Sequence, residues 1–370
     1  MRCPKRMLNG PCGGYNDESC EDPNLKCAWI IAFKNLRNYK REREMFKLKL
    51  DSYFKIRDHK PSHRSLSEHY RSRGYKYLLI YEYVPMRDLN IDKFKEDLHK
   101  IFRVYNAIDF VDNPGGRPLL NPLALASLAK ILFPEKHVGF QITGRDASRD
   151  MITTYIVTAL SLGIDSIIAT TGDLKLKTST PSVWDLDSPR IIYLAKLIND
   201  LGRDYLGRRV YTGSNKLFVG AAVNPYLEPL EPEIYKISVK RDAGADFLVT
   251  QPIYTASIID RFINMLKELR PSGLENLDLV IGVGSINDLE IARFLTERSR
   301  VKIPSKIIEA LKSGDRERII EANNDLVREM IRAIETRTDD NDYLFYVSSF
   351  GDIDVGISIG EIIREELESM

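Results

Sequence analysis

Cysteine is absent from the last 343 of this chain's 370 residues; all four, Cys3, Cys12, Cys20 and Cys27, stand in the first 27. A disulfide framework through the body of the protein is thereby excluded. No apolar run reaches about 18 residues, so no segment reads as a membrane span. No apolar signal region opens the chain, which sets an expectation of cytoplasmic residence with thiols kept reduced. Charge of a single sign is lacking too: 54 Lys and Arg face 53 Asp and Glu, and the net charge of +1 argues against bulk nucleic-acid binding. Two enzyme signatures are also missing. No GxGxxG follows the first strand, against an open dinucleotide-binding sheet, and no GxSxG or Ser-His-Asp set is apparent, against nucleophilic acyl transfer.

What is present at the start is a concentration of thiols beside Gly10, Gly13 and Gly14, in CPKRMLNGPCGG. Thiolates so gathered point to one metal centre, with two disulfides as the alternative. The intervening gaps of eight, seven and six residues contain no CxxC, so spacing leaves zinc and iron–sulfur both open. Residues 34–60 then carry ten Lys or Arg against four Asp or Glu, with Leu36, Tyr39, Phe46, Leu50 and Phe54 at roughly helical spacing. They predict an amphipathic helix whose apolar stripe packs on the main domain. His59–Arg73 reads as a polar linker. The expected organisation is a Cys-rich metal-binding segment over 1–33, a basic helical extension and linker over 34–75, and a barrel over 76–370.

From residue 76 onward short β-branched or aromatic runs alternate with segments of helical period, the mark of βα units. The predicted strands are Tyr77–Pro85, Ala107–Asn113, Val138–Arg145, Ser166–Asp173, Leu217–Asn224, Asp246–Tyr254, Leu279–Ile286 and Tyr343–Ser349. Eight units in a row favour closure into an α/β fold of the (β/α)8 TIM-barrel type.

Such a barrel places its functional groups at the C-terminal strand ends. Polar residues recur there: Glu82, Asp112, Asn113, Arg145, Asp146, Thr171, Gly172, Asp173, Asn224, Gln251, Ser285 and Asn287. Buried and unpaired, each would cost several kcal/mol, so a ring of them implies mutual pairing or a ligand. Glu82, in LLIYEYVP, is flanked by apolar residues whose desolvation would raise its pKa and suit it to act as a general acid. Gly172 permits close backbone approach to a planar or phosphorylated ligand beside Asp173. Gln251, with a donor and an acceptor, could read the edge of a heterocycle.

The stretches YEYVP, FVDNPGGRPLL, QITGRDASRD, GIDSIIATTGD, VWDLDS, VGAAVNP, KRDAGADFLVTQPIY, GVGSIND and ARFLTERSRVKIP occur in this order. In these the chain resembles the methylenetetrahydrofolate reductase family, flavin-dependent barrels that make methyltetrahydrofolate. The resemblance implies FAD, with FMN as the alternative, and catalytic roles for Glu82 as general acid and Asp173 beside the flavin. It further implies cofactor contacts at Asp112, Asn113, Gln141, Thr171, Gly172, Asp173, Trp184, Asn224 and Lys240, and substrate contacts at Glu82, Gln251 and Phe294. Val111, Val223 and Phe350 stand where some relatives have Thr, Tyr and Arg. The N-terminal segment is similar to the cysteine-rich part of a small partner subunit of anaerobe reductases, which implies a [4Fe–4S] cluster, or zinc, at Cys3, Cys12, Cys20 and Cys27.

The implied reaction is reduction of 5,10-methylenetetrahydrofolate, or a related methylene-tetrahydropterin, to the 5-methyl form, with electrons from NAD(P)H or an iron–sulfur protein. A homo-oligomer or a redox complex is expected, without nucleic acid or membrane. The alternatives are a pterin-binding scaffold of a one-carbon complex and a different flavin barrel.

Overall fold

The computed structural model describes residues 3–175, 182–271, 273, 274, 277–335 and 343–369. Eight parallel strands close in sequence order: β1 (Tyr77–Tyr83), β2 (Ala107–Phe110), β3 (His137–Thr143), β4 (Ser166–Thr170), β5 (Phe218–Val223), β6 (Phe247–Thr250), β7 (Asp278–Gly284) and β8 (Tyr343–Ser348). All eight predicted strands are found, and several of the predicted ends run into the loops, because the polar residues there belong to the mouth. The fold is a (β/α)8 barrel.

Alternation along the strands sorts the side chains. Leu79, Tyr81, Ile108, Phe110, Val138, Phe140 and Ile142 point outward and pack under the helices. Leu78, Ile80, Ala107, Ile168, Phe218, Phe247, Val249, Val280, Leu344 and Tyr346 point inward and fill the lumen. Counting on by two from this inner set puts Glu82, Asp109, Gln251 and Ser348 on the inner face toward the C-terminal end, and alternation with the outward Phe140 and Ile142 adds Gln141.

Twelve α-helices accompany the strands among the described residues. Two precede the barrel, α1 (Ala28–Arg37) and α2 (Leu66–Arg71), followed by α3 (Ile91–Val104), α4 (Pro122–Leu132), α5 (Arg149–Ser161) and α6 (Ser188–Leu201). The rest are α7 (Glu231–Asp242), α8 (Ala256–Leu269), α9 (Leu289–Phe294), α10 (Ser305–Ser313), α11 (Arg316–Glu335) and α12 (Ile353–Ser369). Side-chain caps start many of them, as where Asn90 accepts from Lys93 N and Ser148 from Met151 N. No helix among the described residues is long and apolar enough to cross a membrane.

Two expectations ahead of the barrel need correction. A helix does not run over 34–60: α1 stops at Arg37, and only a short 3-10 turn, Glu42–Met45, follows. The apolar residues seek partners too far apart for one helix face. Phe46 packs beside Phe33 and Tyr235, at centroid separations of 6.2 and 5.4 Å, whereas Phe54 packs on Tyr193 and Tyr205. An extended chain covers about 3.3 Å per residue against about 1.5 Å in a helix, so the segment stays open to reach both. Asp51 pins it by accepting from Arg149 and Arg190, and Tyr39 is left 77% exposed.

Residues 59–73 are likewise no loose linker. Arg64 N donates to Asp246 Oδ1 at 2.9 Å, and Leu66 N and Ser67 N donate to Asp278 Oδ2 at 2.5 and 3.1 Å. These carboxylates stand at the N-terminal ends of β6 and β7, so α2 is drawn across the barrel floor, where Leu66 and Tyr70 join the inner cluster.

Candidate active site at the barrel mouth

Glu82 lies one residue before the end of β1, partly buried. Burial, partly offset by hydrogen bonds with Ser348 and Tyr346, pushes its carboxyl up to about 7. Asp109 is its direct partner on β2. It is 2% exposed, and burial pushes it up to about 7 as well, against hydrogen bonds from Tyr346 and Gln141 and with the Glu82 charge adding to the rise. Tyr346 donates to Asp109 Oδ2 at 2.7 Å, while Gln141 Nε2 reaches the Tyr346 oxygen at 3.0 Å and Asp109 Oδ2 at 3.3 Å. The sequence reading placed Gln141 among the cofactor contacts and overlooked Asp109 and Tyr346. Inward alternation from Ala107 was the signal that marked Asp109.

The loops after β2 and β4 are built into one wall by Arg145. Its guanidinium donates to Asn113 O and Asp173 O, both at 3.0 Å. Asp173 Oδ2 accepts from Gly115 N at 3.2 Å. Asp112 accepts from Thr143 N at 3.0 Å, and Asn113, in the left-handed region, accepts from Leu119 N at 2.8 Å. Thr171 accepts from Ser188 N at 3.1 Å at the start of α6. Gly172 has φ of +90°, and a Cβ there would overlap the Thr143 methyl. Gly172→Ala is therefore expected to lower stability by about 1–3 kcal/mol, read from the denaturant midpoint, since strain and overlap act together.

Phe294, at the end of α9 and 38% exposed, reaches across to this wall: a Cβ on Gly115 would lie 3.2 Å from its ring. Phe294 and Asp173 thus converge on Gly115. Gln251 follows β6, its N–H on Val223 O at 2.9 Å. Asn224 and Lys240 both make hydrogen bonds to the scaffold. Asn224 Nδ2 donates to Gly13 O and Ser299 O, and Lys240 Nζ to Ala222 O and Glu233 Oε1. Several buried polar atoms near the mouth have no hydrogen-bond partner, among them Asp109 Oδ1, Tyr254 OH, Ser285 Oγ and Asn287 Oδ1.

The N-terminal segment sits on this mouth. Lys5 Nζ donates to Gly172 O at 2.6 Å, forms a buried ion pair with Glu21, and lies 5.6 Å from the Trp184 ring centroid. Glu21 Oε1 accepts from Leu174 N at 2.6 Å, and Asn9 N donates to Asp187 Oδ2 at 2.7 Å. Lys236 on α7 donates to Pro11 O at 2.5 Å. Cys3, Cys12, Cys20 and Cys27 are free thiols lining one cavity with Lys5 and Trp29. Burial pushes the Cys12, Cys20 and Cys27 thiols up, the last to about 11. Among the described residues no three His, Cys, Asp or Glu are close enough to hold an ion as they stand.

Comparison with known proteins bears on this geometry. The family model described as methylenetetrahydrofolate reductase matches residues 92–344, and one described as methylene-tetrahydrofolate reductase C terminal matches residues 1–53. Methylenetetrahydrofolate reductase 1 of Schizosaccharomyces pombe is 26% identical over 206 residues, 53% of this chain and 32% of that protein. The chain thus spans about a third of that relative's length. A solved structure of an uncharacterised Clostridium thermocellum protein that binds two copies of 5-methyl-5,6,7,8-tetrahydrofolic acid superposes with a TM-score of 0.56. It is 14% identical, covers 81% of this chain and 100% of that one, and at such identity speaks for the fold alone. The first family model extends over well more than half of the sequence, from α3 to the start of β8, and on that match the chain belongs to the methylenetetrahydrofolate reductase family.

Proposed function

We propose that this chain reduces the methylene bridge of methylenetetrahydrofolate, or of a related methylene-tetrahydropterin, to the methyl level. The observation that carries the reading is Glu82: a carboxyl on the inner face near the mouth, pushed by burial up to about 7, so that its acid form is populated near neutral pH. A proton donor there suits a bridge that opens when one nitrogen leaves. Glu82 gives that nitrogen its proton, Gln251 offers a donor and an acceptor to the pterin edge, and Phe294 offers an aromatic face beside Gly115.

The family implies a flavin, and the residues fit one. The Gly172 carbonyl wall, the Gly115 and Gly116 turn and the unpartnered polar atoms at the mouth are what a flat polar ligand requires. Gln141, Thr171, Gly172, Asp173 and Trp184 would hold it; Asp112 and Asn113 would shape the turn. When bound, it supplies the hydride for the methylene carbon. FAD is the expected form.

The four thiols line one cavity and, drawn closer than they stand, would supply the donor set of a thiophilic metal, zinc or a [4Fe–4S] cluster, since ligation relieves the cost of ionising buried thiols. Lys5 lines that cavity and bonds Gly172 O, which supports the segment as an entry point for electrons from an iron–sulfur protein, with NAD(P)H as the other donor.

Purified anaerobically, the protein is expected to carry a yellow chromophore, with about four iron or about one zinc per chain. It should form methyl-pterin with reduced dye. Absence of flavin together with absence of turnover would refute the reading, and absence of iron and zinc would refute the metal centre.

A further inference from the structure

The peptide around Cys12 is held by the barrel on both sides. Pro11 O, in the peptide bond to Cys12, accepts from Lys236 Nζ on α7 at 2.5 Å. Gly13 O, one residue past Cys12, accepts from Asn224 Nδ2 at 3.1 Å. Lys236 is 3% exposed. An ammonium has three protons to give, yet among the described residues this one makes a single hydrogen bond and no ion pair. A buried charge so placed is costly unless an opposite charge stands near it.

The carboxylates around it already have cations. The charges that act on Lys236 most strongly are those of Lys240, Glu233, Asp187 and Cys12. Glu233 is paired with Lys240 at 3.0 Å. Asp187 is paired with Arg190 at 3.1 Å and also accepts from Leu8 N and Asn9 N. Within the N-terminal segment Lys5 is paired with Glu21, and Lys26, which also lines the thiol cavity, is exposed and paired with Glu18. Lys236 is thus left over as a buried cation, and the side chain next to the carbonyl it bonds is a thiol. Four thiolates around Zn²⁺ keep a net negative charge, and so do four around an iron–sulfur core. The surplus cation of the barrel and the surplus anion of such a centre match.

We propose that Lys236 supplies, from α7, the counter-charge of the thiol centre and is the positioning residue that holds Cys12 for the metal. The proposal rests on the reading of the four thiols as ligands of zinc or an iron–sulfur cluster. It makes the centre a joint product of segment and barrel: the thiols come from the first 27 residues, and the neutralising charge from a lysine 225 positions beyond the carbonyl it bonds. A partner outside the ligand set that orients a ligand is worth about 10- to 100-fold in metal affinity.

The test is release of the zinc or iron carried by the whole protein, kept anaerobic, into a chelator, compared for wild type, K236M, K236Q and K236R. K236M and K236Q are expected to release it about 10- to 100-fold more readily, and K236R to hold it as wild type does. Glutamine separates charge from hydrogen bond, because its amide can still donate to a carbonyl. Urea midpoints then tell a counter-charge from a mere prop. With the metal in place K236M should unfold at lower urea than wild type; with the metal stripped it should be at least as stable, since the lysine then lacks its opposite charge. A lysine that only supports Pro11 O would be missed equally in both forms. Wild-type retention in K236M or K236Q, or an equal loss of midpoint with and without metal, overturns the proposal, and K236Q decides if K236M fails to fold. Wild-type protein that carries metal beside a K236Q that holds it as well refutes the role of Lys236 and leaves the metal centre standing, whereas wild-type protein free of zinc and iron refutes both.

Discussion

Glu82→Gln is expected to slow methyl-pterin formation by about 10²- to 10⁴-fold, the usual range for removal of a positioned general acid. The amide keeps the shape of the carboxyl and loses its proton. In the wild-type protein the acid form is present below the folded pKa of about 7 and lost above it, so the rate should fall about tenfold per pH unit on the alkaline side. Stability moves oppositely between the two proteins. Because the folded pKa lies above the ordinary glutamate value, the folded state loses stability as pH rises toward 7, and E82Q escapes that loss. An E82Q protein at least as stable as wild type at pH 8 and nearly inactive would tie the effect to chemistry. Pterin-dependent turnover retained in E82Q would remove Glu82 from the mechanism, and a scaffold would show pterin binding unchanged by the substitution.

Lys5→Met should be the most damaging single change in the N-terminal segment. It removes the cation from an ion pair whose side chains are 4% and 5% exposed, and with it the bond to Gly172 O. Breaking a buried pair from one side costs about 3–5 kcal/mol. Urea unfolding should read that loss, and gel filtration should show flavin leaving the protein more readily, because the carbonyl at the proposed cofactor wall has lost its anchor. A wild-type midpoint with full flavin retention would show that the segment and the mouth are energetically independent. Cys12→Ser separates the metal from the strut, since it leaves Lys5 and Glu21 in place.

Much of the barrel was legible because its determinants are local. Apolar runs of strand length, spaced by helical segments, located all eight strands, and the GD step after β4 announced a glycine that the backbone there requires. The segment from 34 to 73 was misread for the opposite reason. Its apolar spacing is helical, but Phe46 and Phe54 answer to aromatic partners on different helices, and Ser65 and Ser67 answer to a carboxylate 211 residues or more away. Such partners leave no trace in local periodicity.

The candidate site divides in the same way. Glu82 stood out in sequence as an acid among apolar residues. Asp109 stood in a similar setting, but Asp112 and Asn113, nearer the strand end, drew the assignment; they accept from Thr143 N and Leu119 N. Lys240, expected at the cofactor, spends its ammonium on Glu233 and Ala222 O.

The sequence by itself determined the fold, the family and the acid at the end of β1, since periodicity, motif order and an isolated carboxylate in an apolar run are written residue by residue. Only the tertiary structure decided that Asp109 and Tyr346 stand beside that acid and that the four cysteines lie over the mouth through Lys5. Those relations join residues 27 to 264 positions apart, as Glu82 to Asp109 and to Tyr346, and closure of the barrel is what makes their strands neighbours, with the Tyr346 hydroxyl donating to Asp109.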